Sequence, residues 1–183
     1  MDTITLSNRF VQPEVVTSHF HIHEGDTVAD FGCGSGYFTP ALVEAVGPEG
    51  RVFTCDIRKN IIDRIGDLIR VAGWQNVAPM WCDIEAPGGV QLPDGELDVG
   101  VLINALFLFE DKSAALQEID RTIRPGGKLC VVDWTESWAG LGPSDDMVVS
   151  KDEAIDMLEA RGYQLEREFA AGGHHYGLAF RKP

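Results

Sequence analysis

Short apolar runs and stretches of helical spacing alternate along most of this chain. Val28 to Asp30, Arg51 to Asp56, Val77 to Cys82, Leu97 to Asn104 and Lys128 to Asp133 read as five strands. Acids mark their ends: Asp30 in the first, Asp56 in the second and Asp83 just after the third. Between them the period changes. Thr39-Pro40 opens a helix with proline in its first turn, and Gly47-Pro48 stops it. Ile61, Ile65, Leu68 and Ile69 share one helical face that ends at Gly73. Asp111 caps a further helix carrying Leu116, Ile119 and Ile123, stopped by Pro125-Gly126-Gly127. Glu85 to Gly95, rich in Pro and Gly, reads as a loop. This alternation predicts an α/β fold with a parallel sheet. The end of the chain changes style. Ser150 to Glu153 is a capping box for a helix ending at Gly162. Tyr163 to Phe169 and His175 to Arg181 then read as two strands, and the short join Ala170 to Gly173 makes them antiparallel.

The stretch Val28 to Gly36 carries the sharpest chemistry. A glycine stands at every second position, Gly32, Gly34 and Gly36, directly after Asp30. Glycines so spaced let the backbone turn sharply and let a ligand touch the main chain. Asp30 is costly at the end of a buried strand unless a cation or donor meets it. A dinucleotide fingerprint G-x-G-x-x-G, counted from Gly32, would need glycine at position 37, where Tyr37 stands. Asp30 would also repel a pyrophosphate. The expected ligand is nucleotide-like with a positive or donor-rich end.

The pattern Asp30-x-Gly32-x-Gly34-x-Gly36 resembles motif I of the class I S-adenosylmethionine-dependent methyltransferases. Asp56 after the second strand, Asp83 after the third and Arg124-Pro125-Gly126-Gly127 before the fifth are further marks in the family's order. The likeness is nearest to the small-domain ubiquinone/menaquinone-biosynthesis type. It implies a Rossmann-like, doubly wound, seven-stranded sheet, mostly parallel with an antiparallel C-terminal strand. It also implies S-adenosylmethionine as cofactor, held by Asp30, Gly32, Cys33, Gly34 and Gly36, with Asp56 and Ile57 at the ribose. Asp83 and Ile84 would meet the adenine, and Asn104 would lie by the methionine end.

Composition narrows the partners. The 183 residues suit one domain, 1–183, with 44% hydrophobic and 24% charged residues. The net charge of −14 disfavours nucleic acid, which is bound through cations, and suits a protein kept soluble in the cytoplasm. No run is long enough to span a bilayer, and the N-terminus lacks a basic, apolar leader. Cys33, Cys55, Cys82 and Cys130 form no C-x-x-C pair, so neither zinc nor a disulfide framework is expected. The first three lie at strand ends, where small buried residues near a cofactor explain them better than a thiol cluster for a soft metal. His19, His21 and His23 alternate as ligands on an extended segment can, but read as surface histidines; no metal is expected.

The methyl acceptor is less legible. In-line transfer needs alignment above all, and a base only if the acceptor is a phenol or carbon acid. An antiparallel last strand would begin at the reactive edge, bringing His174, His175 and Tyr176 beside Asp133 and Trp134. His175 and Asp133 are the catalytic candidates; His174, Tyr176, Trp134 and Phe107 are acceptor-site candidates. Residues 135–149, with Trp138, Gly140, Gly142 and Pro143, form a candidate flap, and residues 1–24 could add cover. A small or lipid-like acceptor is the leading expectation, with a homodimer completing the site in view. RNA or protein methylation, and a cofactor-binding partner or sensor without turnover, are the alternatives.

Overall fold

The computed structural model describes residues 11–138 and 140–183. Seven strands form one sheet: β1 (Thr27–Phe31), β2 (Arg51–Asp56), β3 (Val77–Trp81), β4 (Leu97–Ile103), β5 (Ile123–Trp134), β6 (Gln164–Gly172) and β7 (His175–Arg181). Their order is β3-β2-β1-β4-β5-β7-β6. β1 to β5 pair in parallel, while β7 runs antiparallel to both β5 and β6. The strand order reverses between β1 and β4. A crevice opens outside the carboxyl ends of strands at such a point.

Helices α1 (Pro13–Thr17), α2 (Thr39–Val46), α3 (Lys59–Ala72), α4 (Lys112–Thr122) and α5 (Lys151–Glu159) accompany the sheet. One face buries Phe31, Leu102 and Leu129 with Leu116 and Ile119 of α4 and Leu158 of α5. The other buries Val28, Val101 and Val132 with Leu42 of α2, Val16 of α1 and Phe20. Central strands are therefore apolar on both sides, which is why they read as runs rather than as alternation. The capping box is present in full: Ser150 Oγ accepts from Glu153 N–H, and the Glu153 carboxylate accepts from Ser150 N–H.

β1, β3 and β4 differ from the sequence expectation by a residue at their ends, and four larger differences stand out. β5 begins at Ile123, not Lys128, so Arg124-Pro125-Gly126-Gly127 lies inside the strand. Its ladder to β4 shifts register between Leu97 and Val99, and Gly126 takes φ +72°. Proline in a strand belongs at such an irregularity. The β6–β7 join shrinks to Gly173-His174. A 3-10 helix, Leu106–Leu108, follows β4; three residues are too few to show a period. His21 takes φ +52°, which breaks the extended segment on which the three histidines would align, and His19 stacks on Phe169 at 4.5 Å. Residues 1–10 of the expected covering segment lie outside the described residues. Among those described, no His, Cys, Asp or Glu cluster suits a metal, and no helix is long and apolar enough to cross a membrane.

Candidate functional site

The carboxyl ends of β1, β2 and β4 surround the crevice. After β1 the chain turns at once: Gly32 and Cys33 N–H groups both donate to Cys55 O, at 2.8 and 2.9 Å. Gly32, Gly34 and Gly36 take φ of +79°, +52° and +77°. Their sequence pattern turns out to serve two purposes. A Cβ on Gly36 would stand 2.4 Å from Ile65 Cδ1, and one on Gly32 3.0 Å from Ala105 Cβ, so those two allow close packing. Gly34 faces open space, with only the Arg58 guanidinium and Gly32 O near, each at 4.0 Å. The main chain is thus bare where a ligand could approach.

A hollow of about 340 Å³ is bounded by Asp30, Gly34, Tyr37, Phe38, Asn104 and Leu108. A second, of about 150 Å³, adjoins it through Gly32, Arg58 and Leu108 and is walled by Asp56, Asp83 and Ile84. Cys33 and Ile57 also line these hollows, so every residue expected at the cofactor except the packing residue Gly36 borders one of them. Leu108, 56% exposed, stands between the two. Sequence reasoning missed it because the 3-10 helix has no signature.

Electrostatics distinguishes the acids. Asp30 is 3% exposed and makes no hydrogen bond or ion pair among the described residues. Burial, aided by the nearby Asp56 charge, pushes its carboxyl up to about 7. Asp56 is also buried, which alone would raise it, but hydrogen bonds from Arg58 and Gly34 hold it below the usual carboxylate value. Asp83 caps a turn by accepting from Glu85 N–H at 3.2 Å. Asn104 sits at φ +53° with its Oδ1 buried and unpartnered, while its N–H donates to Val132 O. A left-handed non-glycine residue costs of order 1 kcal/mol or more and is held by its surroundings. Two thiols are held protonated: burial pushes Cys33 up, and Cys55 is raised by its hydrogen bond with Cys82 and by burial.

The far end of the edge is built otherwise. The hairpin does begin there, with Trp134 paired to His175 and Asp133 to Tyr176. Asp133, 1% exposed, accepts from Trp134 N–H at 2.8 Å and Phe107 N–H at 3.4 Å, tying the 3-10 helix to β5. Burial, partly offset by these donors, lifts it to about 6. His175, 4% exposed, lies against the Trp134 ring at 4.2 Å with both ring nitrogens unpartnered. Burial, with a smaller push from His174, lowers it to about 4. His174 instead pairs with Glu136 at 2.8 Å and stacks on Trp138 at 4.4 Å. Tyr176 donates to Val149 O, and Gly142 packs on the face of Trp134. Glu136, Trp138 and Val149 are thereby fastened to the hairpin, and Gly142 to β5. Phe107 borders a third hollow of about 400 Å³ with Leu108, Met147, Val149 and Met157.

Among the described residues, an unpaired buried acid, a buried amide oxygen without a donor, and bare main chain fit a ligand with a cationic end and hydroxyl groups. Comparison with known proteins agrees. The family described as "Methyltransferase domain" matches residues 22–173. The ubiquinone/menaquinone biosynthesis C-methyltransferase UbiE of Burkholderia cenocepacia is 30% identical over 128 residues, 69% of this chain and 51% of that protein. The chain thus spans about half the length of the curated relatives it matches. A SAM-dependent methyltransferase from Aquifex aeolicus superposes with TM-score 0.86 at 25% identity, covering 94% of this chain and 90% of the other. A type 11 methyltransferase from Sulfolobus solfataricus shares the fold with TM-score 0.76 at 20% identity, covering 94% of each.

Proposed function

The chain belongs to the methyltransferase-domain family, and from that premise we propose that it methylates a small or lipid-like acceptor with S-adenosylmethionine. The observation that carries this reading is the buried Asp30, without a partner among the described residues, beside the bare glycine loop. Asp30 would take the cationic amino end, Asn104 Oδ1 a neighbouring donor, Asp56 the ribose hydroxyls, and Asp83 with Ile84 the adenine. Bound there, the cofactor supplies a methyl group on a positive sulfur, already activated toward a nucleophile. The chain's own work is then to align the acceptor and exclude water.

The hollow bounded by Phe107, Leu108, Met147 and Met157 sets apolar side chains among the charged Glu110, Lys112, Asp146 and Glu153, and residues 146–149 form one side of it. The quinone-biosynthesis name of the curated relatives supports a small, lipid-like acceptor. His175 and Asp133, the candidate bases, are buried and border none of the three hollows described, so this reading favours an acceptor that needs no base from the protein. The acidic chain suits a cytoplasmic location better than a nucleic-acid substrate. The test is to incubate the protein with methyl-labelled S-adenosylmethionine and fractionated cell extract. Label in an organic-soluble small-molecule fraction is expected. Label confined to protein or RNA refutes the acceptor class, and absence of cofactor binding by calorimetry refutes the whole reading.

A further inference from the structure

Asp56 has its acceptor capacity in full use. Oδ1 accepts from Arg58 N–H and Arg58 Nε, both at 2.9 Å. Oδ2 accepts from Arg58 Nη2 at 2.9 Å and Gly34 N–H at 3.1 Å. A carboxylate offers about four lone-pair sites, so none is left for a hydroxyl. Two of the four bonds come from one guanidinium, a planar fork that matches the carboxylate and outbids neutral donors.

The partners differ in freedom. The Asp56 side chain is 4% exposed, that of Arg58 57%. The backbone between them is fixed without the ion pair, because Trp81 Nε1 donates to Ile57 O at 2.6 Å and α3 begins at Lys59. The guanidinium can therefore leave for solvent while the strand end stays put. When it does, the N–H groups of Gly34 and Arg58 remain on Asp56, one on each oxygen. One site per oxygen is released, two in all, and a ribose diol has two hydroxyls to fill them.

We infer that Arg58 is an internal competitor for the cofactor's ribose: its guanidinium holds Asp56 in the free protein and must swing out before the diol binds, so Arg58 sets cofactor affinity. This rests on the reading of Asp56 as the ribose acid. Calorimetry on wild type, Arg58→Ala and Arg58→Lys tests it with S-adenosylmethionine. Adenosine and 2′,3′-dideoxyadenosine are measured by displacement. Arg58→Ala should bind S-adenosylmethionine and adenosine about two- to five-fold more tightly, the upper part of the span expected for losing a half-exposed competing ion pair. Arg58→Lys, charged but without the fork, should fall between. Affinity for the dideoxy compound should stay within about twofold, as that ligand never needs the released sites. Unchanged or weaker binding of the diol ligands by Arg58→Ala overturns the inference, as does equal tightening of the dideoxy compound. If wild type and both variants, all folded, fail to bind S-adenosylmethionine, the cofactor reading falls and takes this inference with it.

Discussion

Asp30 and Asp133 are both buried carboxyls at the same edge of the same sheet, on strands separated only by β4. Burial raises both, to about 7 and about 6. Their surroundings differ in one respect. Asp133 accepts main-chain N–H groups and fastens the 3-10 helix, whereas Asp30 has no partner among the described residues. A buried polar group without a partner costs stability unless a ligand meets it. The Asp30 carboxyl leaves its acceptor sites open to such a ligand, whereas that of Asp133 holds two main-chain segments together.

The strongest way to break this contrast is Asp30→Asn. Losing the charge opposite a desolvated cation should weaken S-adenosylmethionine binding about 100-fold or more by calorimetry, the scale of breaking a buried pair. The free protein should behave oppositely. A carboxyl raised in the folded state contributes stability that is present below about pH 4 and lost as pH rises through about 7. Asn escapes that loss, so the variant's urea midpoint at pH 8 should exceed wild type, by about 1–3 kcal/mol in stability. Wild-type affinity should be flat above pH 7.5 and fall up to about tenfold per unit below 7 as Asp30 takes a proton. A variant both weaker in binding and less stable would make Asp30 a structural acid like Asp133.

The β5–β7 side is probed by Gly142→Ala. The new Cβ would meet Trp134 at 2.4 Å, a rigid ring, at a φ of +74°. The cost should be about 2 kcal/mol, from overpacking and left-handed strain together. Segment 135–149 should become more readily cut by protease and acceptor methylation should fall. Cofactor affinity should stay within about twofold, the ordinary spread for a distant site. A large loss of cofactor binding would show that the two ends act as one.

The same contrast decides what the sequence could reveal. Asp30, the alternating glycines, Asp56 and Asp83 lie at strand ends that hydrophobic runs mark plainly, so the fold was legible, as was the gathering of these residues at one crevice. The capping box at Ser150 was equally plain, because its two hydrogen bonds are local. Arg58 was missed although it stands two residues after Asp56. Its role depends on a side chain folding back over a neighbouring loop, which no period encodes. Leu108 was missed because the irregular turn that presents it depends on Asp133, 26 residues away from Phe107. The Arg124-Pro125-Gly126-Gly127 stretch reads as a helix stop, and so it is, but the stop is also a strand start. Pairing with β4 and with Lys182 fixes that, and neither partner is near in sequence.

His175→Phe should give the smallest effect at neutral pH and the most specific one. The imidazole lies on Trp134 with both nitrogens buried and unpartnered, so an aromatic ring of similar shape loses nothing there. Removing the unsatisfied atoms should stabilise the protein by about 1 kcal/mol at pH 7.5. Acid then separates variant from wild type. Burial holds folded His175 near 4, below its unfolded value of 6.5. Its contribution is therefore fully present above pH 6.5 and is lost as pH falls toward 4, by up to about 1.4 kcal/mol per unit. Asp30 and Asp133 titrate in the opposite sense over part of that window, but equally in both proteins, so the difference isolates the imidazole. Urea unfolding at pH 7.5, 6 and 5 should show the gap widening stepwise. Two curves that fall in parallel would mean that His175 is protonated in place, with a partner that the free protein supplies only in acid.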